Sequence, residues 1–519
     1  MTALKWILWS LMAVVVGGAM PCAADSIAVD YSVGITMNSS SNDFAPYYIA
    51  SNRRGTVTQQ HSALVSAAMW HEMDTTQRLS WGAGIEAWGG YGSSVDYQHY
   101  DVASETMTLN AQHPARAWMQ QLWVEGKYRG VFLTLGQKDL SSAIVNPSLS
   151  SGDMSMSGNA RAPFGARMGF VNFQNIPFTH GWLQIKGEIG YYRFGDSKWL
   201  ENHYNYYNSF ITTNYWFNYK NAYFRTNPNK PLVFTIGMQA ACQFAGTVTY
   251  YNHGTVEKQI KMNANAQAFW HAFIPGNGGE NLGDKIYVEG NHVGSWDLAL
   301  DYKLYTGQVL RAYYQSVWED GSGIGKFNGF DGLWGLEYRR DRRGLVTGVV
   351  AEFLTLMNQS GPLHFAYKDF IDEDNPNGSE IGVSTTGADD YYNNYCYNGY
   401  SNRGMSIGSP MAKSPLYNTD GYLRFTDNLL RGFHLGVTGD IGNQVGYRVL
   451  FSWRKSFGTT FIPHREALTC TSMMLEATYT PQRLRHLQVK AQLAHDHGTL
   501  YGNNTGALIS IFYNGDFSF

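Results

Sequence analysis

The stretch Ala507-Leu508-Ile509-Ser510-Ile511-Phe512-Tyr513-Asn514-Gly515-Asp516-Phe517-Ser518-Phe519 alternates between two kinds of surface. One row carries Ala507, Ile509, Ile511, Tyr513, Phe517 and Phe519, and the other turns polar through Ser510, Asn514, Asp516 and Ser518. Successive side chains of a strand point to opposite faces, so such a segment can set lipid on one side and water on the other. The same two-residue period recurs upstream. Leu487, Val489, Ala491 and Leu493 alternate with His486, Gln488, Lys490 and Gln492. Met473, Leu475, Ala477 and Tyr479 form another apolar row, and Val445, Tyr447, Val449, Phe451 and Trp453 stand opposite Arg448, Ser452 and Arg454. Earlier rows run through Leu183, Ile185, Gly187, Ile189 and Tyr191, then Trp296, Leu298, Leu300, Tyr302 and Leu304, with a further strand between Leu345 and Leu356.

A soluble antiparallel sandwich also alternates in this way. Export, apolar rows that end in aromatics and a terminal aromatic on an amphipathic strand favour a membrane barrel, whose closure satisfies the edge hydrogen bonds. The export signal is explicit. Lys5 precedes an apolar stretch from Trp6 to Ala19, and Cys22-Ala23-Ala24 supplies small residues for cleavage after Ala24. That stretch is shorter than the roughly 17–25 residues of a spanning helix. The expected fold class is all-β, a large antiparallel transmembrane β-barrel of about 16–18 strands with polar plug or long-loop inserts. The expected location is the cell outer membrane, after signal-peptide cleavage.

Composition agrees. Of 519 residues, 44% are hydrophobic types and 15% are aromatic. Only 15% are charged, against about 25% in soluble domains. A formal charge of -3 disfavours nucleic acid as a partner. Cys242, Cys396 and Cys470 remain after the signal, an odd set that allows at most one disulfide within the chain. The organisation expected is a signal peptide (1–24), an N-terminal opening strand, short plug or periplasmic segment (25–60) and a barrel (61–519) with inserts near 139–178 and 371–420. The second insert contains Gly387-Ala388-Asp389-Asp390-Tyr391-Tyr392-Asn393-Asn394-Tyr395-Cys396-Tyr397-Asn398-Gly399-Tyr400, which does not read as a lipid-facing strand.

Several motifs, in order along the chain, resemble the capsule-assembly Wzi family, especially its Bacteroidetes-like branch. They are Ser51-Asn52-Arg53-Arg54-Gly55, Leu149-Ser150-Ser151-Gly152 with Ser157-Gly158-Asn159-Ala160-Arg161, and Gly181-Trp182-Leu183-Gln184-Ile185-Lys186-Gly187. Asn358-Gln359-Ser360-Gly361-Pro362-Leu363-His364 and the run from Asp389 through Gly408-Ser409-Pro410 complete the set. His203-Tyr204-Asn205 stands where that family has a more basic element. The resemblance implies a noncatalytic outer-membrane barrel for capsule or surface-polysaccharide assembly, attachment or display. In the best-understood branch of the family, where binding is lectin-like, a helical accessory region and a blocked lumen also occur. Implied partners are surface or capsular polysaccharide, outer-membrane lipids and capsule assembly machinery. The alternative is a diffusion channel for sugar-containing solutes.

Sugar recognition needs directional hydrogen bonds and flat apolar surfaces, and tyrosine supplies both. The candidate polysaccharide-binding residues are therefore Asp389, Asp390, Tyr391, Asn393, Asn394, Tyr397, Tyr400 and Arg403, with Asn159 and Arg161 as a second, family-marked pair. Each has a structural alternative as part of a hydrogen-bonded plug. Asn52, Arg53 and Arg54 read either as phosphate or uronate ligands or as a periplasmic anchor, and Trp334 and Trp453 read as interface anchors. Catalysis is not expected. Adjacent Asp389 and Asp390 point apart on extended backbone, unlike the facing acids of glycoside hydrolysis. His495 and His497 lack a third metal partner, and no phosphate-binding glycine loop is present. No cofactor or metal is expected.

Overall fold

The computed structural model describes residues 27–279, 288–304, 307–319, 321–360, 364–365, 384–386 and 389–518. The expected signal peptide, Phe519 and much of the stretch before Asp389 lie outside the described residues.

Eighteen strands are hydrogen-bonded into one closed antiparallel wall. They are β1 (Ala28–Phe44), β2 (Gln59–His71), β3 (Leu79–Gly92), β4 (Ala117–Tyr128), β5 (Val131–Gln137), β6 (Phe164–Phe170), β7 (Leu183–Arg193), β8 (Trp216–Thr226) and β9 (Leu232–Phe244). The second half comprises β10 (Asn291–Lys303), β11 (Gln308–Trp318), β12 (Gly332–Arg340), β13 (Gly348–Thr355), β14 (Leu430–Ile441), β15 (Val445–Gly458), β16 (Pro463–Tyr479), β17 (Leu487–Gly498) and β18 (Asn504–Ser518). Each strand pairs with its neighbour in sequence, and β18 pairs with β1 from Ala28↔Ser518 to Ser40↔Gly506. No helix among the described residues is long and apolar enough to cross a membrane.

The C-terminal stretch behaves as its alternation requires. Ile509, Ile511 and Tyr513 are exposed on the outer wall, while Leu508 and Ser510 are buried inside. In the middle of the wall the outer row is aliphatic, with Leu336, Leu435, Val449, Leu475 and Leu493 exposed. Exposed aromatics sit towards the strand ends: Trp81, Tyr128, Tyr302 and Tyr479 near the chain termini, and Tyr91, Phe164, Trp334 and Phe433 at the opposite end. This is the band-and-girdle pattern of an outer-membrane barrel. Tight connections, such as 129–130 and 442–444, share the end with the termini. Long connections, including 93–116, 138–163, 194–215 and 356–429, leave the other end. Short periplasmic turns and long external loops are the rule in such barrels, which assigns the long-loop end to the cell exterior.

Two expected boundaries shift. The barrel begins at Ala28 rather than at 61, because Val33, Ile35 and Met37 form an outward row while Thr36, Asn38 and Ser40 turn inward. The polar run Ser39-Ser40-Ser41-Asn42-Asp43 continues this strand beyond the apolar rows, which obscures its amphipathicity in the sequence. The insert near 139–178 ends earlier, since Phe164–Phe170 is wall strand β6. Its inward glycines hide the alternation and serve close packing: a Cβ on Gly165 would lie 2.1 Å from the Tyr191 carbonyl oxygen. Arg53 and Arg54 belong to the β1–β2 connection at the long-loop end, so the periplasmic placement expected for them is incorrect. His495 and His497 are strand residues of β17, their rings 6.4 Å apart, and no metal-ligating cluster occurs among the described residues.

Leu475 faces outward and is paired laterally with Val449 and Leu493. Leu475→Arg should cost about 2–4 kcal/mol of folding stability in lipid vesicles. Urea titration of vesicle-folded protein checks this, and an unchanged midpoint would contradict the membrane-facing assignment.

Candidate functional site

The lumen is filled from the long-loop end by two connections, 138–163 and 389–429, and by the short segment 45–58. Inner-wall side chains bond to the backbone of these inserts as well as to one another. Gln315 Oε1 accepts from Met154 N at 3.2 Å, and Glu352 accepts from Ser150 Oγ at 2.6 Å and Ser151 N at 2.7 Å. Tyr313 donates its hydroxyl to the same Glu352 carboxylate. His434 Nε2 donates to Leu149 O at 2.6 Å, while its Nδ1 accepts from Tyr48 Oη at 2.8 Å. The root of the second insert is held by Asp331, whose carboxylate accepts from the backbone of Met357, Asn358 and Gln359. Inward wall residues Gln239, Ser295, Gln315, Ser452 and Ser472 consequently have no solvent exposure.

This architecture decides the fate of the sequence candidates. Tyr391, Tyr397 and Tyr400 are buried, and their hydroxyls are already engaged: Tyr391 Oη accepts from Asn328 Nδ2, Tyr397 Oη donates to Ala245 O and Tyr400 Oη donates to Ser155 O. Asn393 bridges Phe425, donating to its carbonyl and accepting from its N–H. Asn394 Oδ1 accepts from Cys396 N. Asp389 accepts from Ser360 Oγ at 2.6 Å, whereas Asp390 accepts from Asn428 and lies 3.8 Å from Arg424. The two acids therefore serve different partners. Buried Asn159 accepts from Asn52 N and donates to Ser406 O, joining all three inserts. These residues build the plug, and the buried tyrosines and Asn159 have their hydrogen-bonding groups engaged within it.

Arg161 and Arg403 are different. Both are partly exposed and line one cleft at the long-loop end with Arg54, Trp118, Trp199, Tyr97, His203 and Asn402. Arg161 lies over the Trp118 ring, 5.1 Å from its centroid, and Trp118 stacks on Trp88 at 6.2 Å. Arg403 donates to Gly195 O at 2.7 Å. The far wall is the short helix Ser197–His203, in which Trp199 stacks on His203 at 4.0 Å. A hairpin formed by Val95–Asp101 and Thr106–Gln112 closes the side, and Tyr97 donates its hydroxyl to Leu416 O at 2.7 Å. Sequence spacing gives no hint of Trp118, Trp199 or Tyr97, because the three lie on different elements far apart in the chain.

The cleft is cationic. Burial and the neighbouring Arg403 charge pull the Arg161 guanidinium down to about 9, so it stays protonated at neutral pH. Burial holds His203 down to about 4, leaving it neutral, with Nδ1–H donating to Trp199 O at 2.7 Å. Arg54 is ion-paired to Asp139 at 2.8 Å. Burial nevertheless pushes Asp139 up to about 6, with Arg54 opposing the shift and Glu86 adding to it.

No protein-family model and no curated protein matches the sequence. Solved structures do match by shape. The outer-membrane protein Wzi of Escherichia coli, involved in group 1 capsule assembly and described as a carbohydrate-binding β-barrel, aligns with a TM-score of 0.52 at 12% identity. That alignment covers 92% of this chain and 83% of Wzi. OccAB4 of Acinetobacter baumannii aligns with a TM-score of 0.44 at 11% identity, covering 94% and 98%. OccK3 of Pseudomonas aeruginosa gives 0.43 at 10% identity, covering 94% and 96%. The likeness to Wzi establishes a shared outer-membrane barrel fold.

Asp139 supplies a pH test. A carboxyl whose folded value lies above its unfolded one favours the neutral form in the fold. Its stabilising contribution is therefore full below the unfolded value and is lost as pH rises through about 6. Asp196 and Asp331, also pushed up to about 6 by burial, add to the same slope. Thermal midpoints in detergent should fall between about pH 4 and neutrality, and Asp139→Asn should flatten part of that fall. An identical profile in the variant would refute the assignment.

Proposed function

We propose that this protein is a noncatalytic outer-membrane barrel for assembly, attachment or display of surface polysaccharide, capsule included. The observation that carries the proposal is the combination of a bore filled by hydrogen-bonded backbone and an arginine-aromatic cleft at the long-loop end. A protein that holds polymer at the surface needs a fixed external surface, and the filled bore provides rigid support for one. Likeness of fold to a carbohydrate-binding, capsule-assembly barrel supports the same choice. Its partners would be surface or capsular polysaccharide at the external end, outer-membrane lipids around the wall and the machinery that delivers polymer.

The competing function is a diffusion channel for sugar-containing solutes. A cavity of about 290 Å³ against the wall, lined by Ser66, Glu72, Glu86, Gln121 and Lys138, is the feature that favours it. A channel requires continuous water along the bore, however, and the zero exposure of the inward residues Gln239, Gln315 and Ser452 opposes that.

Deleting the gene in a capsule-producing strain should raise released polysaccharide and lower the cell-bound fraction, with total synthesis maintained. Unchanged retention would defeat the proposal. Purified protein in planar bilayers should conduct far less than an open porin, and porin-sized currents with sugar uptake would establish the channel instead.

A further inference from the structure

We propose that the cleft between Arg161 and Arg403 is an anionic-sugar subsite, in which the guanidinium pair takes an oxyanion and Trp118, Trp199 and Tyr97 form the walls around the ring. This subsite rests on the polysaccharide-display proposal and specifies its ligand chemistry: a sugar bearing a carboxylate or a phosphate.

Charge is the first argument. Two guanidiniums face one cleft and repel each other. Arg161 makes no ion pair within 4.0 Å, and its Nε has no hydrogen-bond partner among the described residues. The buried carboxylate Asp196, which accepts from the Tyr215 hydroxyl at 2.9 Å, offsets part of the Arg403 charge but not that of Arg161, and Asp139 is taken by Arg54. Partly buried cations without a carboxylate are costly unless an anion visits them. Planar guanidinium also matches carboxylate and phosphate oxygens in paired hydrogen bonds.

Backbone conformation is the second argument, independent of charge. Ser401–Asn402 and Met405–Ser406 form a hairpin whose two turn residues, Arg403 and Gly404, have φ of 50° and 74°. A two-residue turn with both φ values positive favours Asn-Gly. The turn has the expected glycine second and an arginine first. Arg54, on another cleft wall, is likewise left-handed at φ 55°. Local strain held at a ligand-facing side chain is characteristic of a functional position.

The third argument is the wall chemistry. Trp118 is braced by Trp88 and by donation of its Nε1–H to Gln120 Oε1 at 2.9 Å, and Trp199 is braced by His203. Asn402 donates to Arg161 O at 2.7 Å, while its buried Oδ1 lacks a partner among the described residues. His203 is neutral, so it adds no charge that would change with pH between about 5 and 8.

The test uses the full chain purified in detergent micelles and titrated calorimetrically with oligogalacturonate, with its uncharged methyl ester, and with inorganic phosphate. Oligogalacturonate should bind at least about tenfold more tightly than the ester, at one site. Arg161→Gln and Arg403→Asn should each weaken it by about tenfold or more and leave the ester unaffected. Arg403→Asn suits the turn, so its heat-modifiable gel mobility should match the parent and exclude misfolding as the cause. If phosphate binds with the same arginine dependence and oligogalacturonate does not, the anionic subsite stands and its source is a phosphate substituent. Equal affinity for acid and ester, no binding of either anion, or full affinity in both variants would overturn the subsite. The two proposals separate in cells: if gene deletion releases polymer while the double variant retains it, the subsite alone falls. If deletion releases nothing, the display function falls.

Discussion

Everything in this molecule depends on one junction, the ladder between the first and last strands. Within lipid an unpaired backbone amide or carbonyl has no water to turn to, so a sheet can cross only if it has no edge. Pairing from Ala28↔Ser518 to Ser40↔Gly506 removes that edge. It also fixes the facing of both strands, since a slip of one residue would send Ile35, Ile509 and Ile511 into the bore and Thr36 and Ser510 into lipid. The buried contact between Thr36 Oγ1 and Ser510 Oγ, at 2.9 Å, marks the register from inside. The first and last strands are thus constrained by each other.

Closure creates a second requirement, because eighteen strands enclose more space than their own side chains can fill. Here polypeptide fills it, which places irregular backbone in the interior with donors and acceptors that must be met. The inner wall supplies them with carboxylates and amides: Glu352, Asp331, Gln315 and Gln239 all engage the inserts. Arg454 is a buried cation met mainly by aromatic faces, its Nε and Nη1 having no hydrogen-bond partner among the described residues. It is fully buried between Tyr47 and Tyr501, 3.7 Å and 4.9 Å from their centroids, and donates to Ser472. Wall and plug are consequently one hydrogen-bonded unit, which is why polar residues on the inward rows coexist with negligible exposure.

The fold was legible in the sequence wherever one row had to meet lipid. The rows at 445–453, 473–479, 487–493 and 507–513 follow directly from the two-residue period, and each is a wall strand. Legibility declined where polar or glycine residues entered the pattern, as in β1, with its serine-rich extension, and in β6, with inward Gly165 and Gly169. It declined further for the site. Tyrosine and asparagine that suit a sugar also suit a plug, since both tasks reward an aromatic body with a hydrogen-bonding tip. Tyr391, Tyr397 and Tyr400 took the second task. Only the fold brings Trp118 of β4, Trp199 of a loop helix and Arg403 of a plug hairpin to one place.

For the tyrosines and Asn159, what separates plug from site is that their polar groups are already matched. Tyr400 gives its hydroxyl to Ser155 O, and Asn159 has both ends of its amide engaged; a ligand could recruit neither without breaking a bond the plug requires. Leaving a buried partner unmet costs about 1–3 kcal/mol, so such residues are poor places to build affinity. Arg161 presents the reverse balance, with a charge met by an indole face and no carboxylate. Binding an anion there would satisfy a group the fold leaves incomplete while breaking nothing already made. For that reason the sparsely bonded edge of the plug, rather than its tyrosine-rich centre, is where a surface-facing function can reside.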